Sequence, residues 1–135
     1  MYVATRYEAR IGQMVRETIT QRERLYDLLR DPATRAIDLR GPGPAQASGR
    51  VVWNEAKGGL LVVSGLPPAP AGKAYELWTI IAGTPRPAGL FQVDDRGRAT
   101  HRVDATARAV DVFAVTLEPE AGVPAPTGPM VLASK

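Results

Sequence analysis

Two hydrophobic periods divide the chain. From about Thr5 to Arg30 the apolar positions fit a heptad, with Ala4, Ile11, Thr18 and Leu25 at position a and Tyr7, Met14, Gln21 and Leu28 at position d. This stretch holds one glycine (Gly12) and no proline, and Asp31-Pro32 supplies its stop, so one long helix is expected. The middle of the seam is polar at Thr18 and Gln21, which makes any coiled coil weak. The pair Glu17 and Arg22 has opposite signs and favours a parallel homodimer through helix 5–30. The alternative packs the Ile11, Val15, Leu25 and Leu29 side against the rest of the same chain. Four heptads with a polar centre leave both readings open.

From Thr34 onward the period is two. Strands are expected at Arg35–Leu39, Ser48–Trp53, Leu60–Gly65, Ala74–Ile81, Ala88–Val93, Ala99–Val103, Val110–Leu117 and Pro129–Ala133. Between them lie Gly41-Pro42-Gly43-Pro44, Lys57-Gly58-Gly59, Pro67-Pro68-Ala69-Pro70, Asp94-Asp95-Arg96-Gly97 and Glu118-Pro119, all with turn chemistry. Asn54–Gly59 and Asp94–Arg98 read as hairpin turns. The stretch from Val110 to Leu117 is apolar on both faces, as a central strand would be. About eight short strands with no helix between them predict a mainly β fold: an antiparallel sandwich of the immunoglobulin-like or Greek-key type, preceded by one long N-terminal helix. The expected boundaries are 1–33 for the helical segment and 34–135 for the sandwich.

Composition narrows the function. At 135 residues, 44% hydrophobic and 23% charged, the chain can bury a core without staples. The net charge of +3 is spread evenly, with seven Arg against five acids in residues 1–35 and ten Lys or Arg against nine acids after them. A nucleic-acid binder concentrates basic charge on one element, so no nucleic-acid partner is expected. The absence of cysteine removes disulfides and thiolate chemistry together. The longest apolar stretch, Leu60 to Val63, falls far short of the ~20 residues that span a bilayer.

Candidate chemistry is sparse, and neither an enzyme nor a cofactor or metal is expected. The single histidine, His101, reads as an exposed strand residue that cannot build a zinc site alone. None of Ser48, Ser64 and Ser134 sits in a nucleophile elbow. Asp94-Asp95 reads as a turn whose carboxylate accepts backbone hydrogen bonds. The glycine-rich stretches open no helix and carry no Lys-Ser/Thr pair, so they are not phosphate cradles.

Two dense segments remain: Tyr75-Glu76-Leu77-Trp78 with Ala88-Gly89-Leu90-Phe91, and Phe113 to Pro119 with the stretch through to Leu132. An acid on the face of Trp78 must lie at an edge or be paired. Four prolines in the stretch Glu118 to Pro129, the last being Pro129 itself, make that loop a shaped one. Such a loop caps a sandwich; with aromatics beside it, it can also bind a ligand.

These segments resemble the C-terminal domain of the anti-sigma-K factor family. The shared pattern is a Tyr-x-Leu-Trp strand, an Ala-Gly-x-Phe strand, and a Phe-Ala-Val-Thr-x-Glu-Pro run leading to Pro-Thr-Gly-Pro. Here it is carried by Tyr75, Leu77, Trp78, Gly89, Phe91, Val115, Thr116, Glu118, Pro119, Pro126, Thr127, Gly128 and Pro129. The likeness extends upstream through Leu39-Arg40-Gly41, Gly49 to Trp53 and Ser64 to Pro68, and covers about a hundred residues.

The resemblance implies the extracytoplasmic part of a single-pass bacterial membrane protein. A cytoplasmic segment would hold an extracytoplasmic-function sigma factor, and a transmembrane helix would anchor the molecule. A site-1 protease and then an intramembrane protease would release the sigma factor. Neither the cytoplasmic segment nor the membrane helix lies in these residues, so the chain is expected to be the outer portion of a longer protein, with helix 5–30 as a juxtamembrane stalk. Two other readings compete. An envelope ligand- or carbohydrate-binding module would use Trp53, Trp78, Glu118 and Thr127 as its surface, and both tryptophans buried would count against it. A small hydrolase lacks an activated nucleophile.

Overall fold

The computed structural model describes residues 20–135, and the chain divides after Ala33 into two units. In the first unit, residues 20–30 form helix α1. Its interior holds no glycine or proline. Arg30 closes its C-terminal end, donating from Nε to the Tyr26 carbonyl and pairing with Asp27 at 3.1 Å. Asp31 then accepts from the Ala33 amide, and Pro32 bars further helix. Leu25, Tyr26 and Leu29 are exposed. The heptad positions before Thr20, and with them the expected Glu17–Arg22 pairing, lie outside the described residues.

The second unit, Thr34–Lys135, holds eight strands in two antiparallel sheets, so the described residues are mainly β, with a single helix among them on the N-terminal side. The strands are β1 (Arg35–Leu39), β2 (Ser48–Asn54), β3 (Gly58–Ser64), β4 (Lys73–Ile81), β5 (Thr84–Phe91), β6 (Ala99–Val103), β7 (Val112–Pro119) and β8 (Met130–Ala133). Sheet A has the order β1-β2-β3-β6 and sheet B the order β5-β4-β7-β8. The chain crosses between the sheets three times, from β3 to β4, from β5 to β6 and from β6 to β7, and β6 returns beside β3 while β7 returns beside β4. This return of later strands beside earlier ones is the Greek-key element of the fold.

Alternation decides the core. Leu39, Val51, Trp53, Leu61 and Val63 of sheet A meet Tyr75, Leu77, Phe113, Val115 and Leu132 of sheet B in one buried cluster. Trp53 packs edge-on against Phe113 at 5.1 Å, and Tyr75 stacks on Phe91 at 5.8 Å. Each such fully buried apolar side chain contributes about 1.5–3 kcal/mol. The strand β7 is interior, as its two apolar faces require.

Strand β5 starts at Thr84, four residues before the expected Ala88. Pro85 and Pro87 read as loop residues, but β5 is the edge of sheet B, where a missing N–H costs no ladder bond. A two-residue turn at Ala82 (φ 51°) and Gly83 (φ 80°) joins it to β4. Asp111 fastens that turn by accepting from the Ala82 amide at 2.8 Å. The turn at Asp94 forms as expected, with Oδ1 accepting from the amides of Arg96 and Arg98. Asn54 does the same for Ala56 and Lys57 in the β2–β3 hairpin.

Both seams between the sheets are closed. On one side Arg40 and Ala133 exchange backbone hydrogen bonds, and the Gly43 amide donates to the Val131 carbonyl. On the other, His101 of β6 reaches across to the Ala88 carbonyl of β5 at 2.9 Å. The expectation of an exposed histidine is therefore corrected: His101 is half-buried and ties two edge strands together. The alternation places it on the side of Val51 and Leu61, which the polar neighbours Thr100 and Arg102 conceal in the sequence.

Candidate functional site: the buried polar network under residues 120–129

The outer face of sheet B carries Glu76 and Trp78 of β4 beside Ala114, Thr116 and Glu118 of β7. All five are buried, although none belongs to the core between the sheets. What covers this end of the face is the segment after β7. It turns at Pro119–Gly122, where the Gly122 amide donates to the Pro119 carbonyl. It then runs back as residues 120–129 and enters β8.

One carboxylate holds this segment down. Glu118 is 0% exposed and accepts from four donors: the Thr116 hydroxyl at 2.5 Å, the Thr127 hydroxyl at 2.6 Å, and the amides of Gly128 at 3.0 Å and Thr127 at 3.2 Å. Thr116 in turn accepts from the Trp78 indole N–H at 2.8 Å. An unbroken chain of hydrogen bonds thus runs from indole to hydroxyl to carboxylate to loop backbone. Burial alone would push the Glu118 carboxyl up; the Thr116 and Thr127 hydroxyls and the Gly128 and Thr127 amides outweigh it and hold the group below the usual carboxylate range.

The Pro-Thr-Gly-Pro run fits this task residue by residue. Thr127 supplies two donors. Gly128 presses so close to β7 that a Cβ there would lie 1.7 Å from the Leu117 carbonyl oxygen, so no other residue fits. Pro129 accepts from the Leu117 amide at 3.1 Å, which starts the pairing with β8. Pro126 is exposed.

Glu76 is 3% exposed and accepts one hydrogen bond, from the Val123 amide at 3.2 Å. Burial pushes its carboxyl up, the Val123 amide partly offsets this, and the charge of Glu118 adds to the rise. Of the two situations expected for this acid, an edge position or a partner, it takes the second: β4 is interior and the partner is a loop amide.

The remaining motif residues serve the fold. Leu77 and Val115 lie in the core, and Tyr75 donates to the Pro67 carbonyl, which fixes the Ser64–Pro68 stretch. Gly89, at φ 117°, forms with Ala88 a bulge in β5 opposite Leu77; a Cβ on it would strike His101 at 2.3 Å. That single glycine is what lets His101 close the seam.

The expected ligand surface is corrected by burial. Trp53 and Trp78 are both 0% exposed, one in the core and one in the network, and Glu118 is fully covered. Thr127 is exposed, but its hydroxyl and amide turn inward to Glu118. The groove on the outer face of sheet A, about 430 Å³, is lined by Asp38, Ser48, Arg50, Val52 and Val62 and contains no aromatic ring. The Trp53 indole nitrogen meets no acceptor among the described residues. No group of three or more metal-ligating side chains gathers among them either. None of their helices is long and apolar enough to cross a membrane. Sequence reasoning finds Glu118, Thr116 and Thr127 as motif members but misses their common purpose. The available signal is that Thr116 and Glu118 alternate onto the same face as Trp78.

Comparison with known proteins joins this geometry to a family. The family described as anti-sigma-K factor rskA, C-terminal, matches residues 3–130. The chain belongs to the anti-sigma-K factor family. Its residues correspond to the C-terminal domain of these regulatory proteins. A Streptomyces griseus protein described as an uncharacterized protein in the phr 5'region is 30% identical over 119 residues, which is 85% of this chain and 48% of that protein. The chain thus spans about half the length of the curated relative it matches. No solved structure matches.

Proposed function

We propose that this chain is the extracytoplasmic regulatory domain of a membrane-anchored anti-sigma factor. It controls release of an extracytoplasmic-function sigma factor through regulated proteolysis. Residues 1–33 serve as the juxtamembrane stalk, and 34–135 as the folded guard at its end. The sigma factor binds a cytoplasmic segment, and a site-1 protease and an intramembrane protease make the successive cuts. The observation that carries this reading is that the polar groups of the family motif are consumed inside the fold. Glu118, Thr116, Thr127 and Trp78 bond one another rather than facing a cleft. A domain of this kind acts through its stability and its surface, by shielding adjoining chain from proteases. Closed seams and a docked strap suit it, since proteases cut chain that opens locally.

The test uses the whole gene in its own cell. Alkaline phosphatase fused after Lys135 should be active, because that enzyme matures only outside the cytoplasm; an inactive but intact fusion rejects the outer location. Mapping the new N-terminus after the first cut should place it before residue 40. A first cut inside residues 40–135 overturns the guard reading.

A further inference from the structure

We propose that residues 120–129 form a proton-operated strap, with Glu118 as its fixed anchor and Glu76 as its switch: proton uptake by Glu76 tightens the strap over the outer face of sheet B, and proton loss loosens it.

The two carboxylates are neighbours on one face of paired strands, since Glu76 lies opposite Thr116 and Glu118 is two residues further along β7. Their surroundings differ sharply. Glu118 has four donors, which suits an ionised carboxylate. Glu76 has a single donor, the Val123 amide at 3.2 Å, and its Oε2 has none. An ionised carboxylate withdrawn from water with one hydrogen bond is poorly satisfied, and the protonated form is not.

The elements packed around Glu76 offer it no cation. From β7 it faces Glu118; from β5, Leu90; from the strap, Gly122 and Val123. No ion pair reaches either carboxylate among the described residues, and the strap's own acid, Glu120, is exposed. Ionising Glu76 therefore sets a second negative charge beside Glu118 in a covered site, with only one amide to receive it. Glu76 keeps only 3% of its surface in water, the cheapest relief is to admit more, and the strap that lies against it is what narrows that access. Burial and the Glu118 charge both raise the Glu76 carboxyl, consistent with this geometry.

The strap is suited to opening without the sandwich. Residues 124–127 are exposed, and its middle is held by Val123 on Glu76 and by Thr127 and Gly128 on Glu118. Losing the first contact frees only the middle of the strap, residues 123–126, while Glu120 stays bonded to the Gly72 carbonyl, Gly122 to the Pro119 carbonyl, and the Gly128–Pro129 end to Leu117.

Residue-resolved amide exchange on the chain 1–135, corrected for intrinsic rates, tests this directly. Between about pH 5 and pH 8 the protection of Val123 should fall about tenfold or more, while amides of β2 and β3 stay unchanged. In Glu76→Gln, a neutral mimic of the protonated acid, Val123 protection should remain high at both pH values. In the wild type, the carboxyl carbon of Glu76 should titrate at the same midpoint as the Val123 change. Protection that is independent of pH, a pH dependence that persists in Glu76→Gln, a simultaneous loss in β2 and β3, or a Glu76 midpoint apart from the exchange midpoint each overturns the proposal. The carboxyl titration needs no variant, so a folding failure of Glu76→Gln leaves the idea open to refutation.

Discussion

On the outer face of sheet B, Glu76, Thr116 and Glu118 are almost wholly withdrawn from water; on the outer face of sheet A, Asp38 and Arg50 stand more than half exposed. Both faces obey the same strand alternation, with Glu76, Thr116 and Glu118 on interior strands of sheet B and, on sheet A, Arg50 on interior β2 opposite Asp38 on the edge strand β1. The difference lies in the path of the chain beyond the strand. After β7 the chain doubles back and brings amides and a hydroxyl to Glu118, so a buried carboxylate is satisfied by four donors. No such segment bonds to Asp38, which instead meets Arg50 at 2.9 Å in reach of solvent. A polar residue on a sheet face thus acquires structural weight only when backbone is folded over it.

The largest test of this contrast is Glu118→Ala. It leaves the Thr127 and Gly128 amides without their acceptor and the Thr116 hydroxyl without its own. A loss of about 3–4 kcal/mol in urea unfolding is expected, since each buried group left unpaired costs ~1–3 kcal/mol. The effect carries a pH signature. The Glu118 carboxyl is held below its ordinary value when folded. Its contribution is therefore fully present above the unfolded carboxylate value of about 4.3 and is lost as pH falls through the lowered folded value. The stability gap between wild type and Glu118→Ala should accordingly shrink between about pH 5 and pH 3. A gap that is constant or widens over that range shows that the carboxylate is not what holds the strap.

How much of this is legible in the residues differs between strands and strap. The strands are readable because alternation and turn chemistry are local: β1 and β6 fall where the pattern of two predicts them, and most other ends move by one or two residues. Strand β5 reads short in the sequence because its prolines carry no mark of the edge position that tolerates them. The seam contacts of His101 with Ala88 and of Arg40 with Ala133 are products of topology, joining residues 13 and 93 apart, and no local signal encodes them. The strap sits between these cases. Its prolines announce a shaped loop, and Thr116 and Glu118 share a face with Trp78, but only the docked loop tells a covered carboxylate from a solvated one. The first part of helix 5–30 lies outside the described residues.

A smaller change on the same strap is Gly128→Ala. Its Cβ would sit 1.7 Å from the Leu117 carbonyl oxygen, and that atom is backbone in the interior of sheet B. Relief requires the strap to lift or β7 to shift, at about 2–3 kcal/mol. Because Glu118 itself is intact, the loss should appear chiefly as exchange of the Thr127 amide, ahead of the core. Loss spread evenly over both sheets would mean that the strap is not a separable layer.

The smallest expected effect belongs to the open face. Asp38 and Arg50 form the shortest ion pair there, and both side chains keep more than half their surface in water. The coupling measured by a double-mutant cycle of Asp38→Ala and Arg50→Ala should be about 0.2–1 kcal/mol and should diminish in ~1 M salt, because solvent and ions screen an exposed pair. Asp38 also lies opposite Arg50 across an antiparallel register, which favours the pair without burying it. The cycle sharpens the contrast with Glu118 because ion pairing is the stronger interaction in isolation and yet is expected to contribute less here. A coupling near 3 kcal/mol that ignores salt would mean that something covers sheet A as the strap covers sheet B, and the difference between the two faces would then lie in the covering partner rather than in the chain.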